Sequence, residues 1–270
     1  MNKKSLVNRL AGTVVLLVTV LGVVTAVSAA VLGAPKWDYS DPAGWASLGD
    51  GQVYASCGNG QSQSPIDIKE AVKSDIAIPS RSYKDTPLSI TNNGHTIQVN
   101  YDPSKGSIMI DGLKYELHQF HFHTQAEHTL DGKRMPVEVH FVQKTQDGTK
   151  AAVIGVFLKL GEENKALADI LKHAPAHLGP LEEIVTYDVP GKLINALGLQ
   201  PKELKKMFHY SGSLTTPPCT EGIQWFVAKK MLTASQQQID ALRKLMVHNG
   251  FDNYRPVQEL NGRPIHKIQR

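Results

Sequence analysis

The sequence predicts a mainly β chain with short peripheral helices (α+β), folded as a single domain. Short apolar or alternating runs of strand length recur, at residues 107–110, 115–123, 137–142, 151–160 and 223–228. Only two stretches carry helical spacing, residues 167–171 and 234–247, and Thr233 or Ser235 is available to cap the second. The 270 residues are 41% hydrophobic, enough for one sizeable core, and no Ser/Gly/Pro linker, low-complexity run or internal repeat divides them.

The amino-terminal segment stands apart. Lys3, Lys4 and Arg9 precede the apolar run 11–24, and Val27-Ser28-Ala29 offers small residues for cleavage. This is the pattern of a removable signal peptide over residues 1–30, followed by a short linker at 31–36. The run is long for a signal, so an uncleaved membrane anchor is the alternative. No lipobox cysteine follows. The leader carries three cations and no acid, so its removal takes the formal charge from +4 to +1. With that charge and no Lys/Arg run, nucleic acid is not expected as a partner. Lys202-Glu203-Leu204-Lys205-Lys206 reads as a solvated helix face. A cleaved chain is exported, periplasmic or secreted, without stable membrane association.

The two central strands carry chemistry. Side chains alternate faces along a strand. In 115–123 one face takes Leu117, Gln119, His121 and His123, and the other takes His118, Phe120 and Phe122. In the second strand Glu138, His140 and Val142 share one face, and Val137, Val139 and Phe141 the other. Asp131-Gly132 between them is a hairpin turn signal, so the strands are expected to be antiparallel neighbours. That brings His121, His123 and His140 together. Three imidazoles can hold one zinc ion and leave its fourth position open to water and substrate. Gln119 and Glu138, one pleat from His121 and His140, are placed to accept the second N–H of those rings. A bare His-x-His is more often a pair of half-buried structural histidines. The third histidine and the two aligned polar partners turn the reading toward a metal centre.

Several ordered motifs resemble the alpha-class carbonic anhydrases, in particular exported bacterial members. They are Trp37-Asp38-Tyr39, Gln61-Ser62-Gln63-Ser64-Pro65-Ile66-Asp67-Ile68, Asn92-Asn93-Gly94-His95, Gln119 to His123, Ala126-Glu127-His128 and Val137 to His140. Ser213-Leu214-Thr215-Thr216-Pro217-Pro218-Cys219, Trp225, Asn253-Tyr254-Arg255-Pro256 and Asn261-Gly262-Arg263 complete the set, which covers about residues 37–268.

The resemblance implies a catalytic domain over 37–270, built on a large twisted, mostly antiparallel sheet. It implies one Zn2+ on His121, His123 and His140, and reversible hydration of carbon dioxide to bicarbonate and a proton. Thr215 would orient the attacking oxygen and pass its own proton to Glu127. Val142, Val153, Leu214 and Trp225 would form the apolar wall for the substrate, with Thr216 beside it for bicarbonate. His95 would shuttle protons along waters ordered by Tyr39, Asn93 and Gln98; many relatives carry Asn in place of Gln98. The resemblance also implies cis bonds at Ser64-Pro65 and Pro217-Pro218, a side esterase activity, and inhibition by sulfonamides and anions. A homodimer stays open.

Cys57 and Cys219 are the only cysteines, and in an exported protein they are expected to pair. Two separate buried thiols are the alternative. His118 is expected to face away from the metal by parity, and His128 to point opposite Glu127 if that segment is extended. His173, His177, His209, His248 and His266 read as structural or surface residues, and Pro175 argues against a regular helical pair at His173 and His177. Two other classes compete: a non-catalytic binding protein on the same fold, which predicts a broken ligand set, and a zinc hydrolase with an ester as main substrate, which predicts a specific acyl pocket.

Overall fold

The computed structural model describes residues 36–77, 79–84, 86–176, 197, 206–246 and 250–269, with 185–189 by backbone alone. The apolar run 11–24, the leader and its linker as far as residue 35, Lys202 to Lys205, His177, Val247 and His248 lie outside the described residues. In chain order the strands are β1 (Asp67–Ile68), β2 (Val72–Lys73), β3 (Ser80–Tyr83), β4 (Leu88–Asn92), β5 (Ile97–Asn100), β6 (Gly106–Ile110), β7 (Leu113–His123) and β8 (Thr129–Leu130). They continue with β9 (Lys133–Arg134), β10 (Val137–Lys144), β11 (Ala151–Leu160), β12 (Val185–Val189), β13 (Lys206–Ser213), β14 (Glu221–Ala228), β15 (Leu232–Ala234) and β16 (His266–Gln269). The α-helices are α1 (Ser56–Asn59), α2 (Lys165–His173) and α3 (Gln236–Met246). Among the described residues no helix is long and apolar enough to cross a membrane.

One large mixed sheet runs β12-β4-β5-β7-β10-β11-β14-β13-β16-β2, with β6 joining β7 to β3, and β15 lying beside β11. Most neighbours are antiparallel; β14 and β15 run parallel to β11, and β2 parallel to β16. β10 is buried at every residue except Lys144, as a central strand covered on both faces must be. Val137, Val139 and Phe141 enter one core with Phe120, Phe122, Ile154 and Phe226. Val142 faces the other, with Val153, Tyr210 and Trp225. Helices α2 and α3 cover the first core through Leu167, Ile170, Leu242 and Met246. Their starts are capped by Asn164, whose Oδ1 accepts from the Leu167 N–H at 3.0 Å, and by Ser235, whose Oγ accepts from the Gln238 N–H at 3.3 Å. The sequence-predicted second helix therefore begins two residues late, because Ala234 belongs to β15.

Two strand expectations need correction. Asp131 and Gly132 do form a tight turn, with φ of 49° and 75°. The turn joins β8 to β9 in a separate small sheet with β1, and does not join β7 to β10 directly. The second correction is a β-bulge. β7 and β10 are antiparallel neighbours as expected, but their register shifts so that Val142 faces Gln119 and Gln143 faces Leu117, skipping His118. The extra residue reverses the alternation toward the start of β7. Leu117 thus leaves the histidine face and packs in the core with Phe120 and Phe122. Parity does not place His118 either: it lies within electrostatic reach of Lys144 and Glu116.

Cys57 and Cys219 form a disulfide across 162 residues of chain. It packs with Tyr39, Trp45 and Tyr54. In the chain-entropy account a loop this long stabilises by up to about 5 kcal/mol. The Cys57→Ser, Cys219→Ser protein is expected to lose about 2–5 kcal/mol in urea unfolding, and an unchanged midpoint would show that the bridge adds nothing.

Candidate metal centre

Register assembles the site. His121 stands directly opposite His140, and His123 opposite Glu138. The three ring centroids are 5.0, 5.4 and 4.5 Å apart. One nitrogen from each ring lies within 4.8 Å of the others. The remaining nitrogen of each ring is anchored. His121 Nδ1 meets Gln119 Oε1 at 2.8 Å, His123 Nδ1 meets the Asn253 carbonyl at 2.7 Å, and His140 Nε2 meets Glu138 Oε1 at 2.9 Å. Each acceptor holds the ring proton on the anchored nitrogen, which leaves the lone pairs on His121 Nε2, His123 Nε2 and His140 Nδ1.

His123 Nε2 is buried without a hydrogen-bond partner. An orphaned buried acceptor is costly, and a cation satisfies it. Burial keeps all three rings neutral: it holds His121 well below the ordinary imidazole value, lowers His123 to about 4, and lowers His140 against the pull of Glu138. Three neutral nitrogen donors suit zinc or another borderline divalent metal.

Glu138 does more than orient His140. Its Oε1 also accepts from His128 Nδ1 at 2.7 Å, and its Oε2 accepts the backbone N–H groups of Glu127 and His128, each at 2.9 Å. Burial pushes this carboxyl up, but His128 and His140 outweigh burial and hold it well below the usual range. The other His128 nitrogen meets Tyr210 Oη at 2.6 Å, and Tyr210 Oη meets Ser64 Oγ at 2.8 Å. His128, Glu138 and His140 could also gather a cation by spacing alone. Their shared hydrogen bonds make them the support of the first centre. The segment carrying His128 is irregular, with a cis bond at Thr124-Gln125, so strand parity has no purchase on it.

The Thr215 side chain hydrogen-bonds the Glu127 carboxyl. Glu127 Oε1 also accepts the Arg255 N–H at 2.8 Å, and Oε2 lies 3.5 Å from His123 Nε2 and 3.8 Å from His140 Nδ1. Burial raises Glu127 to about 7 against the pull of His140, Thr215 and Arg255. A divalent cation on the neighbouring imidazoles would draw it back down.

A cleft of about 360 Å³ opens onto these groups, lined by Gln119, His121, His140, Val142, Val153, Leu214, Thr215, Thr216 and Trp225 among others. All six expected substrate-side residues therefore meet on the wall that carries two of the three imidazoles. A larger hollow, about 540 Å³, lies by Leu113 and Lys150. Its acids are already engaged, Glu116 by Lys114 and Asp147 by Thr145 and Thr149, and it contains no histidine.

The expected proton-relay residues are not among those lining the cleft. His95 follows Gly94, whose φ is 80°, in the β4–β5 turn, and Asn93 Oδ1 accepts the N–H groups of His95 and Thr96 at 3.0 and 2.9 Å. The His95 ring stacks on Trp37 at 3.8 Å and 7°, with the Tyr39 ring 6.4 Å away. Gln98 pairs in register with His121, and its amide donates to Asn100 Oδ1 at 2.6 Å. Burial, then the Glu127 charge, pushes the Tyr39 phenol well up. The cis bonds at Ser64-Pro65 and Pro217-Pro218 are present.

Asn253 is the functional residue that sequence reasoning missed. Its carbonyl anchors His123, its Oδ1 accepts the Thr124 N–H at 2.7 Å, and its Nδ2 donates to the carbonyls of His95 and Phe122 at 3.0 and 2.8 Å. The only signal was its place in the Asn253-Tyr254-Arg255-Pro256 motif.

The ring burial has a pH consequence for metal-free protein. His123 takes its proton near 4 when folded and near 6.5 when unfolded. Between those values the unfolded chain binds more protons, so stability falls on acidification. Glu127 acts in the opposite sense, its contribution being full below the unfolded carboxyl value and lost as pH rises through about 7. Three depressed imidazoles outweigh one raised carboxyl. The urea midpoint of the metal-free protein is expected to drop between about pH 6.5 and 4. A rising midpoint would show that the rings are not buried as neutral groups.

Fold and cleft together define an enzyme of the tri-histidine type. A family model described as eukaryotic-type carbonic anhydrase matches residues 40–269. A carbonic anhydrase of Pectobacterium atrosepticum is 37% identical over 241 residues, covering 88% of this chain and 93% of that protein. One of Neisseria gonorrhoeae is 35% identical over 245 residues, covering 89% and 92%. The alpha-carbonic anhydrase of Thermovibrio ammonificans, solved with the inhibitor sulfanilamide, superposes with a TM-score of 0.74 at 39% identity over 87% of this chain and all of that one. The chain belongs to the alpha carbonic anhydrases, enzymes that interconvert carbon dioxide and bicarbonate.

Proposed function

We propose that this chain hydrates carbon dioxide at a zinc centre on His121, His123 and His140, with Glu127 and Thr215 orienting the nucleophile and His95 carrying the proton away. The observation that supports it best is the set of three anchored rings whose lone-pair nitrogens gather beside an apolar cleft. Zinc bound there supplies a Lewis acid that brings the pKa of water to about 7, a value characteristic of carbonic anhydrases themselves.

The chain's own residues do the rest. Thr215, its hydroxyl donating a hydrogen bond to Glu127, can only accept from a water beside it, which turns that water's lone pair toward substrate. Val142, Val153, Leu214 and Trp225 give a small apolar molecule a dry wall, and Thr216 stands ready for the charged product. An aliphatic wall of this kind favours a small apolar substrate, with activated esters as side substrates. Aromatic sulfonamides are expected to compete for the same cleft as anions.

A proton must then leave quickly. An acid of pKa about 7 sheds protons to water at only ~10³ s⁻¹, because recapture runs near a ceiling of ~10¹⁰ M⁻¹s⁻¹. The chemistry of carbonic anhydrases themselves runs near ~10⁶ s⁻¹. His95, an imidazole held at a turn against Trp37, closes that gap. His95→Ala is expected to slow turnover ~10-fold or more in weak buffer, with rescue by added imidazole. An unchanged rate at low buffer would remove His95 from the relay.

The leader pattern and the disulfide both support export to an oxidising compartment. Stopped-flow hydration with a metal count tests the whole reading. About one zinc per chain, and activity lost to a chelator, is the expected outcome. A metal-free protein with full activity would end it.

A further inference from the structure

The back of the sheet holds a second pair of facing imidazoles. β13 and β16 are antiparallel, and His209 stands opposite His266. Both lie on the sheet face away from the first centre. Met207 and Ile268, two residues from each, enter the core with Phe226, whereas Tyr210 turns to the Trp225 side. The His209 ring stacks on Phe226 at 4.5 Å and 21°.

His209 is prepared in the same way as His123. Its Nδ1 donates to a backbone carbonyl, that of Trp225, at 2.9 Å, so the proton is fixed there and Nε2 is the lone-pair nitrogen. The His266 ring lies 6.1 Å away, inclined by 26°. His266 Nδ1 is buried with no hydrogen-bond partner, the same sign that marks His123. Asp111, in the β6–β7 turn, lies within electrostatic reach of His209.

We propose that His209 and His266 form a second metal site, for a borderline divalent transition ion such as Cu2+, Ni2+ or Zn2+, with water completing the coordination and Asp111 offsetting the charge. Imidazole pairs select these ions over Mg2+ and Ca2+, which demand oxygen ligands. The orphaned His266 nitrogen supplies the second donor, and the carbonyl-fixed His209 supplies the first. Because the ion would join β16 to β13, binding stabilises the folded chain by mass action.

The test uses zinc-loaded enzyme titrated with Cu2+, with zinc and copper counted together, electron paramagnetic resonance of the bound copper, and the melting temperature followed. The expected result is one tight copper beyond the retained zinc, a two-imidazole nitrogen signature, and a melting temperature raised by a few degrees. His266→Gln is expected to weaken that copper at least ~10-fold and abolish the thermal shift. His118→Gln and His173→Gln are expected to leave both intact. His209→Asn should act like His266→Gln. Since His209 packs on Phe226 and its replacement can disturb β13, His266→Gln on the outer strand, checked by circular dichroism and retained hydration activity, is the decisive variant. The proposal is overturned if no copper binds beyond the zinc, or if the extra copper survives His266→Gln, or if it is lost with His118 or His173 instead.

Discussion

His140→Ala is expected to purify without zinc and to lose carbon dioxide hydration by well over ~100-fold. Replacing a group that only orients a ligand costs about 10–100-fold in metal affinity, and His140 is itself a ligand candidate. Its loss also disturbs Glu138, a fully buried carboxylate that accepts from His140 and His128 at once. Removing one donor leaves buried charge under-compensated. The variant should therefore be less stable as well as metal-poor. Its metal content is read by atomic absorption, its rate by stopped flow, and its fold by near-ultraviolet circular dichroism. Near-wild-type hydration in a folded, metal-free His140→Ala protein would refute the ligand assignment.

Thr215→Ala has the second largest expected effect and separates orientation from metal binding. Thr215 touches the Glu127 carboxyl and lines the cleft, but offers no nitrogen to the cation. Zinc content should stay near one per chain while kcat/KM falls ~10²–10³-fold, the scale seen when one preorganised hydrogen-bonding group is removed from a reacting oxygen. Thr215→Ser keeps the hydroxyl and should restore most of the rate. Full activity in the alanine variant, or zinc loss that tracks the rate loss, would contradict the orienting role.

The clustering of the three histidines was legible because it lies beyond the bulge. From Gln119 to His123, and from Val137 to Val142, alternation holds without interruption, so period two alone places three rings and two of their acceptors on one face. It failed two residues upstream, at Leu117, because a bulge has no signature in polarity. The Asp131-Gly132 turn was legible as a turn but not in what it joins, since local dihedral preference says nothing about which strands flank it. His128 was obscured by an irregular segment. Asn253 was visible only as part of its motif and its role could not be read: the atom that matters is a main-chain carbonyl, 130 residues from the ring it holds. The cysteine pair was readable from count and from the expectation of export, whereas the stacking of Trp37 on His95 depends on a tertiary approach that no spacing encodes.

That distant carbonyl has a consequence for timing. The imidazoles of β7 and β10 emerge from the ribosome close together and can pair early, but the residue that sets the proton on His123 is made 130 residues after that ring. A nascent chain that stops short of Asn253 owns all three rings without a fixed tautomer on one of them. On the proposed function, firm capture of an ion would then wait for that carbonyl, and a bound ion would in turn favour the docked position of the segment that carries it. Loss of the ion should first show as fraying of residues 250–269, well before the central strands exchange their amides.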